Sequence, residues 1–316
     1  MKRITRRQFI KVGSALIPFL FAKDLFASSR RSGRLLAQAK PGAAGNGVSA
    51  VSMAVVKGKD HRLLAEEAVN ALGGIKKFVK KGDKVVVKPN MAWDRSPEQA
   101  GNTNPVIVSA LVSMCLDAGA AKVKVFDRCC SDPRRTYKNS GIAAAAKKAG
   151  ADVFHVDEWN YVKATFDYDS PLEGWPIYRD AVEADCFINV PVLKHHGLTK
   201  LTLSMKNLMG VMGDNRGRIH WGIDKKLAHV TDFISPDLTI IDATRVLTRN
   251  GPSGGNLEDV KVMDTVIAST DPVLADSEAA RIAGRDPMDI GYIKEAHAMG
   301  LGKTGVPSSQ VFRKDI

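Results

Sequence analysis

The 316-residue chain lacks any uncharged apolar run near the roughly 20 residues that a membrane-crossing helix needs, which excludes a polytopic membrane protein. Cysteine is scarce. The four are Cys115, Cys129, Cys130 and Cys186, and no two stand as C-x-x-C, so a ferredoxin-type iron–sulfur site has no support. Neither H-E-x-x-H nor a glycine-rich G-x-G-x-x-G after the first strand candidate is present, which argues against a helical zinc signature and the usual dinucleotide fold. Aromatic residues are few, at 6%. With 44% hydrophobic and 25% charged residues, the chain is instead an ordinary folding one, neither collagen, coiled coil nor wholly disordered.

The 46 basic residues outnumber the 34 acidic ones, a formal charge of +12 that suggests a nucleic-acid or anionic-surface partner. The placement of the charge removes that suggestion. The chain opens Lys2-Arg3-Ile4-Thr5-Arg6-Arg7-Gln8-Phe9-Ile10-Lys11, which resembles a twin-arginine export signal. The uncharged stretch Val12–Ala22 suits a signal core and is too short to span a bilayer, and Ala37-Gln38-Ala39 offers a small-x-small cleavage site. Cutting after Ala39 leaves 37 basic against 33 acidic residues, a net +4. The expectations are a signal peptide over 1–39, a flexible linker over 40–49, the twin-arginine translocase as a partner during export, and a periplasmic or other extracytoplasmic location. Neither nucleic-acid binding nor a stable membrane span is expected of the mature chain.

Apolar runs rich in β-branched residues predict strands at Ser52–Val56, Lys84–Val87, Lys122–Phe126, Asp152–His155, Cys186–Val190, Leu238–Ile241 and Val266–Ala268. Amphipathic stretches predict helices at His61–Val79, Asn104–Ala118, Thr136–Ala149, Lys225–Phe233, Pro272–Ile282 and Asp289–Met299, with Thr103 as a cap for the second. Alternation of the two implies an α/β fold, a mostly parallel sheet with helices on both faces, over 50–302. The segment Asp157–Arg179, rich in aromatics and proline, reads as a hairpin or long insertion, and 303–316 as a C-terminal tail.

In such sheets ligands bind beyond the carboxyl ends of the strands. Lys88-Pro89-Asn90, Asp127-Arg128-Cys129-Cys130, Lys194-His195-His196, Asp242 and Ser269-Thr270-Asp271 all follow strand candidates and are expected to converge on one edge. Lys88, Asn90, Lys194 and Asn207 would bind a small anion, since cations suit carboxylate or phosphate. His195, His196 and Lys206 are the candidate catalytic residues, because only histidine titrates near neutrality unperturbed. Asp127, Cys129, Cys130 and His220 are candidate ligands for a metal ion, the cofactor otherwise being unknown. Gly251-Pro252-Ser253-Gly254-Gly255-Asn256 reads either as an anion cradle or as a simple turn.

The segments Val87-Lys88-Pro89-Asn90, Asn102-Thr103-Asn104-Pro105 and above all Leu193-Lys194-His195-His196-Gly197-Leu198-Thr199-Lys200, running on to Ser204-Met205-Lys206-Asn207-Leu208-Met209-Gly210, resemble the bacterial and archaeal family catalogued as domain of unknown function 362. Ser269-Thr270-Asp271-Pro272 with Asp276, and Gly300-Leu301-Gly302, extend the likeness across about 50–302. Many relatives carry paired ferredoxin-type clusters, a label that does not transfer to a chain without the motif. The lysine segment is also similar to that of nickel-pincer lactate racemase, which would place a cofactor-bearing lysine at Lys206. The first reading is an exported, enzyme-like protein acting on a small anionic substrate, with a metal as an option. A periplasmic redox or metal carrier using Cys129 and Cys130, and a binding module using Asp157–Arg179, are the alternatives.

Overall fold

The computed structural model describes residues 51–316; the leader and linker expected at 1–39 and 40–49 lie outside them. Residues 51–316 form one compact unit. The strands are β1 (Met53–Lys57), β2 (Lys84–Pro89), β3 (Lys122–Val125), β4 (Asp152–Val153), β5 (Tyr161–Lys163), β6 (Pro176–Tyr178), β7 (Cys186–Val190), β8 (Val192–His196), β9 (Lys200–Thr202), β10 (Leu238–Leu247), β11 (Val260–Ser269) and β12 (Val311–Asp315). The helices are α1 (His61–Ala71), α2 (Pro105–Asp117), α3 (Pro133–Asn139), α4 (Ile142–Lys148), α5 (Arg179–Val182), α6 (Ser204–Asn207), α7 (Arg216–Ile219), α8 (Ile223–Ile234), α9 (Pro272–Ile282) and α10 (Gly291–Ala298).

The main sheet runs β12-β1-β11-β10-β7-β2-β3-β4, with β8 joined to β10 and β9 to β8. It is mostly parallel: β11 is antiparallel to both β1 and β10, and β9 to β8. Both faces are apolar because alternate residues of each strand enter different cores. Val85 and Val87 of β2, with Ile188 and Val190 of β7, pack beneath α1, α2 and α4. Val86 and Phe187 face the other way, under the β5–β6 hairpin and α8. Met53 and Val55 of β1, with Ile241 of β10, meet α8, α9 and α10 on that second face.

Each departure from the sequence expectation has a local cause. The first predicted helix ends at Ala71, where Gly73 and Gly74 take positive φ, and a short 3-10 turn over Ile75–Lys77 completes it. Thr136–Ala149 divides into α3 and α4 at Gly141, whose φ of 72° breaks the helix. Asn104, rather than Thr103, caps α2, its side chain accepting from the Val106 N–H; the Thr103 hydroxyl is taken by the Val190 carbonyl at 2.7 Å. The expected tail carries β12, which pairs in parallel with β1. Asp157–Arg179 does contain a hairpin, yet its aromatics mainly cover the sheet: Trp175 and Tyr178 are buried, and Tyr178 packs 4.9 Å from Phe126. Trp159 alone of that group is almost fully exposed, at 92%. No helix among the described residues is long and apolar enough to cross a membrane.

Candidate functional site

The parallel strands β2, β3 and β7 deliver their carboxyl ends to one edge of the sheet. There Lys88 leaves β2, Asp127 follows β3, and β7 turns at once into β8. The Lys194-His195-His196 segment is therefore a strand rather than a loop, folded back on β9 with His196 opposite Lys200. Strand residues alternate in direction. Lys194 and His196 share one face of β8, and His195 takes the other, where its Nδ1 accepts from the Gly251 N–H at 3.1 Å.

Lys88 is completely buried and forms an ion pair with Asp127 at 2.8 Å. Its ammonium also donates to Asn207 Oδ1 at 3.1 Å and to the Pro89 carbonyl at 2.7 Å. Asn207 returns a hydrogen bond to the Lys88 carbonyl and another to Asn189 Oδ1. The second oxygen of Asp127 accepts from the Met91 N–H at 2.7 Å. Gly210 closes this pair in, because a Cβ there would stand 1.8 Å from Asp127 Oδ1. Lys88 and Asn207, expected to bind the anion, are thus the buried frame of the site.

Lys194 is different. At 1% exposure it donates to the Gly101 carbonyl at 2.6 Å and to Asn90 Oδ1 at 3.3 Å, both neutral acceptors. Asn90 is fixed in turn by its N–H to the Thr103 hydroxyl, which ties Lys194 to the Asn102–Asn104 loop. Burial pushes the Lys194 pKa down to about 7; the Lys206 and Lys88 charges add to this, while Cys130 and Asp127 oppose it. Asn102 anchors the same loop by accepting from the Ala92 and Trp93 N–H groups.

His196 is held down to about 3, first by burial, then by the charges of Lys206, Lys194, His220 and His195. Its Nδ1 accepts from the Leu198 and Thr199 N–H groups at 3.1 and 3.3 Å, so its proton sits on Nε2. The near-neutral titration expected of it is not met: in this setting His196 is a neutral ring at physiological pH.

Lys206 lies in α6 with Nζ 3.3 Å from Met209 Sδ. Asp276, reaching across from α9, accepts from the Ser204 and Met205 N–H groups at 2.7 and 3.1 Å and so fixes the start of α6. Burial raises the Asp276 pKa to about 7. Asp276 appeared in the sequence only as part of a resemblance; its supporting role follows from tertiary contact. Asn189 escaped notice because it stands inside an apolar strand, and Gly210 because crowding leaves no mark on sequence.

One expectation is corrected by topology, and one alternative is decided. Since β11 runs antiparallel, Ser269 pairs with Thr239 and Met53 at the starts of β10 and β1, so Ser269–Asp271 lies at the opposite edge from the site. There Asp271 caps α9 through the Leu274 N–H, at 2.9 Å. The Gly251–Asn256 segment is a turn rather than an anion cradle: its Gly251 N–H is spent on His195, and its Gly254 and Gly255 carbonyls accept from Arg95 and Gln99.

The proposed metal ligands do not assemble either. Among the described residues no three His, Cys, Asp or Glu side chains form a group that could hold a metal ion. Asp127 is engaged by Lys88 and the Met91 N–H, while Cys129 Sγ donates to the Met91 carbonyl at 3.0 Å. Asp127, Cys129, Cys130 and His220 therefore form no such group among the described residues. Among the described residues there is no disulfide; Cys115 and Cys186 are buried thiols, as the apolar context of each implies.

A family model described as domain of unknown function (DUF362) matches residues 85–281, which contain every residue of this cluster. The chain belongs to that family. It is similar, at 28% identity over 241 residues, to the thylakoid-associated protein sll1697 of Synechocystis sp., the match covering 74% of this chain and 73% of that protein. Among solved structures it is similar to the lactate racemase apoprotein of Thermoanaerobacterium thermosaccharolyticum, with a TM-score of 0.48 and 11% identity over 74% of this chain and 57% of that one. A Thermotoga maritima protein gives a TM-score of 0.39 and 13% identity, over 71% of this chain and 59% of the other. The chain thus spans less than two thirds of the length of either solved structure. In this member of the family, the signature running from Leu193 to Gly210 builds one side of the lysine cluster and α6 behind it.

Proposed function

We propose that the protein is an exported, enzyme-like member of the family whose site takes a small anionic substrate between Lys194 and Lys206. The observation that carries this reading is Lys194 itself. It is buried, hydrogen-bonded only to neutral oxygens, and surrounded by two further lysines with Asp127 engaged by Lys88. Burying like charges together is unfavourable, and a bound anion would relieve it. Buried cations with perturbed pKa values cluster at functional sites, which supports the reading. His195, on the opposite face of β8, and the exposed His220 are the imidazoles left for proton transfer once His196 is set aside. The twin-arginine-like opening around Arg6-Arg7 supports a location outside the cytoplasm for this chemistry.

Sulfate is a suitable probe because it does not titrate near neutrality. Calorimetric titration of the mature chain with sulfate is expected to show saturable binding that weakens at least about tenfold in Lys194→Met and in Lys206→Met, the loss of about 1.4 kcal/mol or more. Binding unchanged in both variants would remove the site. Replacing Arg6 and Arg7 together by lysine is expected to leave the protein in the cytoplasm with residues 1–39 attached; normal export of that variant would contradict the location.

A further inference from the structure

We propose that His61 is a positioning residue of the lysine site: as a neutral ring with its proton on Nε2, it locks the 101–104 loop on which both acceptors of Lys194 depend. The inference rests on the anion-site reading only for what the loop serves. Asn104 carries the lock. Its Oδ1 accepts from the Val106 N–H and caps α2. The two hydrogens of its Nδ2 go to Thr244 Oγ1 at 3.2 Å and to His61 Nδ1 at 2.9 Å. The Thr244 hydroxyl gives its own proton to Asp242 Oδ1 at 2.7 Å, so toward Asn104 it can only accept.

Turning the amide over would set an N–H against the Val106 N–H and lose the Thr244 contact as well. The orientation is therefore fixed, and His61 Nδ1 must offer a lone pair. Its Nε2 then holds the proton and donates to Asp264 Oδ1 at 3.1 Å. A neutral imidazole, with one donor and one acceptor, satisfies both neighbours; an imidazolium, with two donors, meets Asn104 donor to donor. Asp264 reaches the ring from an irregularity in the β10–β11 ladder, where its φ of 46° is uncommon for a residue other than glycine. The charged groups around the ring are Asp264, itself held by Lys59, and the buried Asp242 behind Asn104. On the ring's own helix, Asp60 accepts from the Arg62 and Leu63 N–H groups, and Arg62 pairs with Glu66.

The lock reaches Lys194 through the loop. The Asn104 N–H donates to Asp242 Oδ2 at 2.7 Å. Thr103 donates its N–H to the Asn90 carbonyl at 2.9 Å and accepts the Asn90 N–H on its hydroxyl at 2.8 Å. Gly101 presents its carbonyl to Lys194 at 2.6 Å. The Gly101 carbonyl and Asn90 thus hang on one short loop, and His61 ties the end of that loop to α1 and β11.

The test compares wild type, His61→Ala and His61→Gln in the full chain. Glutamine can accept from Asn104 and donate to Asp264 without taking up a proton; alanine can do neither. Long-range 1H–15N spectra of the neutral ring should show His61 protonated on Nε2. In His61→Ala the Thr103 and Asn104 amides are expected to exchange about fivefold faster, the loss of one neutral hydrogen bond, while those of Cys186–Val190 keep their rates. Sulfate binding should weaken alongside, and His61→Gln should restore both. As the ring takes up its second proton, followed by its own signals, the two wild-type amides should speed up relative to His61→Gln at the same pH. A neutral ring protonated on Nδ1, unaltered exchange in His61→Ala, or equal acceleration in Cys186–Val190 would overturn the lock. Faster loop exchange with sulfate binding intact would overturn the link to Lys194. The expected exchange pattern in a protein that binds no sulfate would uphold the lock and remove the anion site.

Discussion

Lys194 sets the behaviour of the site at the scale of single residues. Its pKa falls from the ordinary 10.5 to about 7, so below pH 7 the folded and unfolded chains both carry its proton, and the folded chain bears the full penalty of a buried charge. Between about 7 and 10.5 the unfolded chain still holds that proton and the folded chain has lost it, so stability rises with pH across this window. Lys194→Met should remove the penalty. Urea unfolding at pH 6 is expected to show the variant more stable than wild type by about 1–4 kcal/mol, the range seen when buried charges give way to apolar side chains. The gain should shrink by pH 10. A variant less stable than wild type at pH 6 would mean that Lys194 is paired more favourably than its neutral partners imply. Gly210 gives the opposite case. Gly210→Ala drives a Cβ into Asp127 and Lys88, and such overpacking is expected to cost about 1–3 kcal/mol and to weaken sulfate binding as the frame shifts.

At the scale of elements, α6 is too short to stand alone and is held in place by Asp276 from α9. Asp276→Ala leaves the Ser204 and Met205 N–H groups buried without their acceptor, which is expected to cost about 1–3 kcal/mol and to loosen Lys206. The sign of its pH dependence is the reverse of that for Lys194. The Asp276 pKa rises from 3.8 to about 7, so between those values the folded chain keeps a proton that the unfolded chain has lost, and stability falls as pH rises. Comparing Asp276→Asn with wild type from pH 4 to 8 isolates that limb; identical slopes in the two proteins would show that Asp276 ionises freely. The elements themselves were largely legible in sequence. Cys186–Val190 and Pro272–Ile282 appear with the expected bounds because apolar runs and the Asp271-Pro272 start are local signals. β8 was not legible, since Lys194-His195-His196 carries no apolar alternation and becomes a strand only by pairing with β9 and β10.

For the molecule as a whole, sequence order placed Lys88, Asp127 and Lys194 after strands, and a parallel sheet was enough to bring them together. It could not place Ser269–Asp271, because the direction of β11 is set by tertiary pairing with β1 and β10 and not by its own residues. The division between Lys88, paired and enclosed, and Lys194, surrounded by neutral oxygens, was equally hidden: both follow from which acceptors the loops supply. The cation that matters is the one whose charge the fold suppresses. The most direct measurement is therefore proton-linked calorimetry of sulfate binding at pH 8, in buffers of different ionisation enthalpy. Proton uptake on binding is expected, as the anion restores the Lys194 ammonium, with loss of that uptake in Lys194→Met. Sulfate binding without proton uptake, or uptake undiminished in the variant, would contradict it.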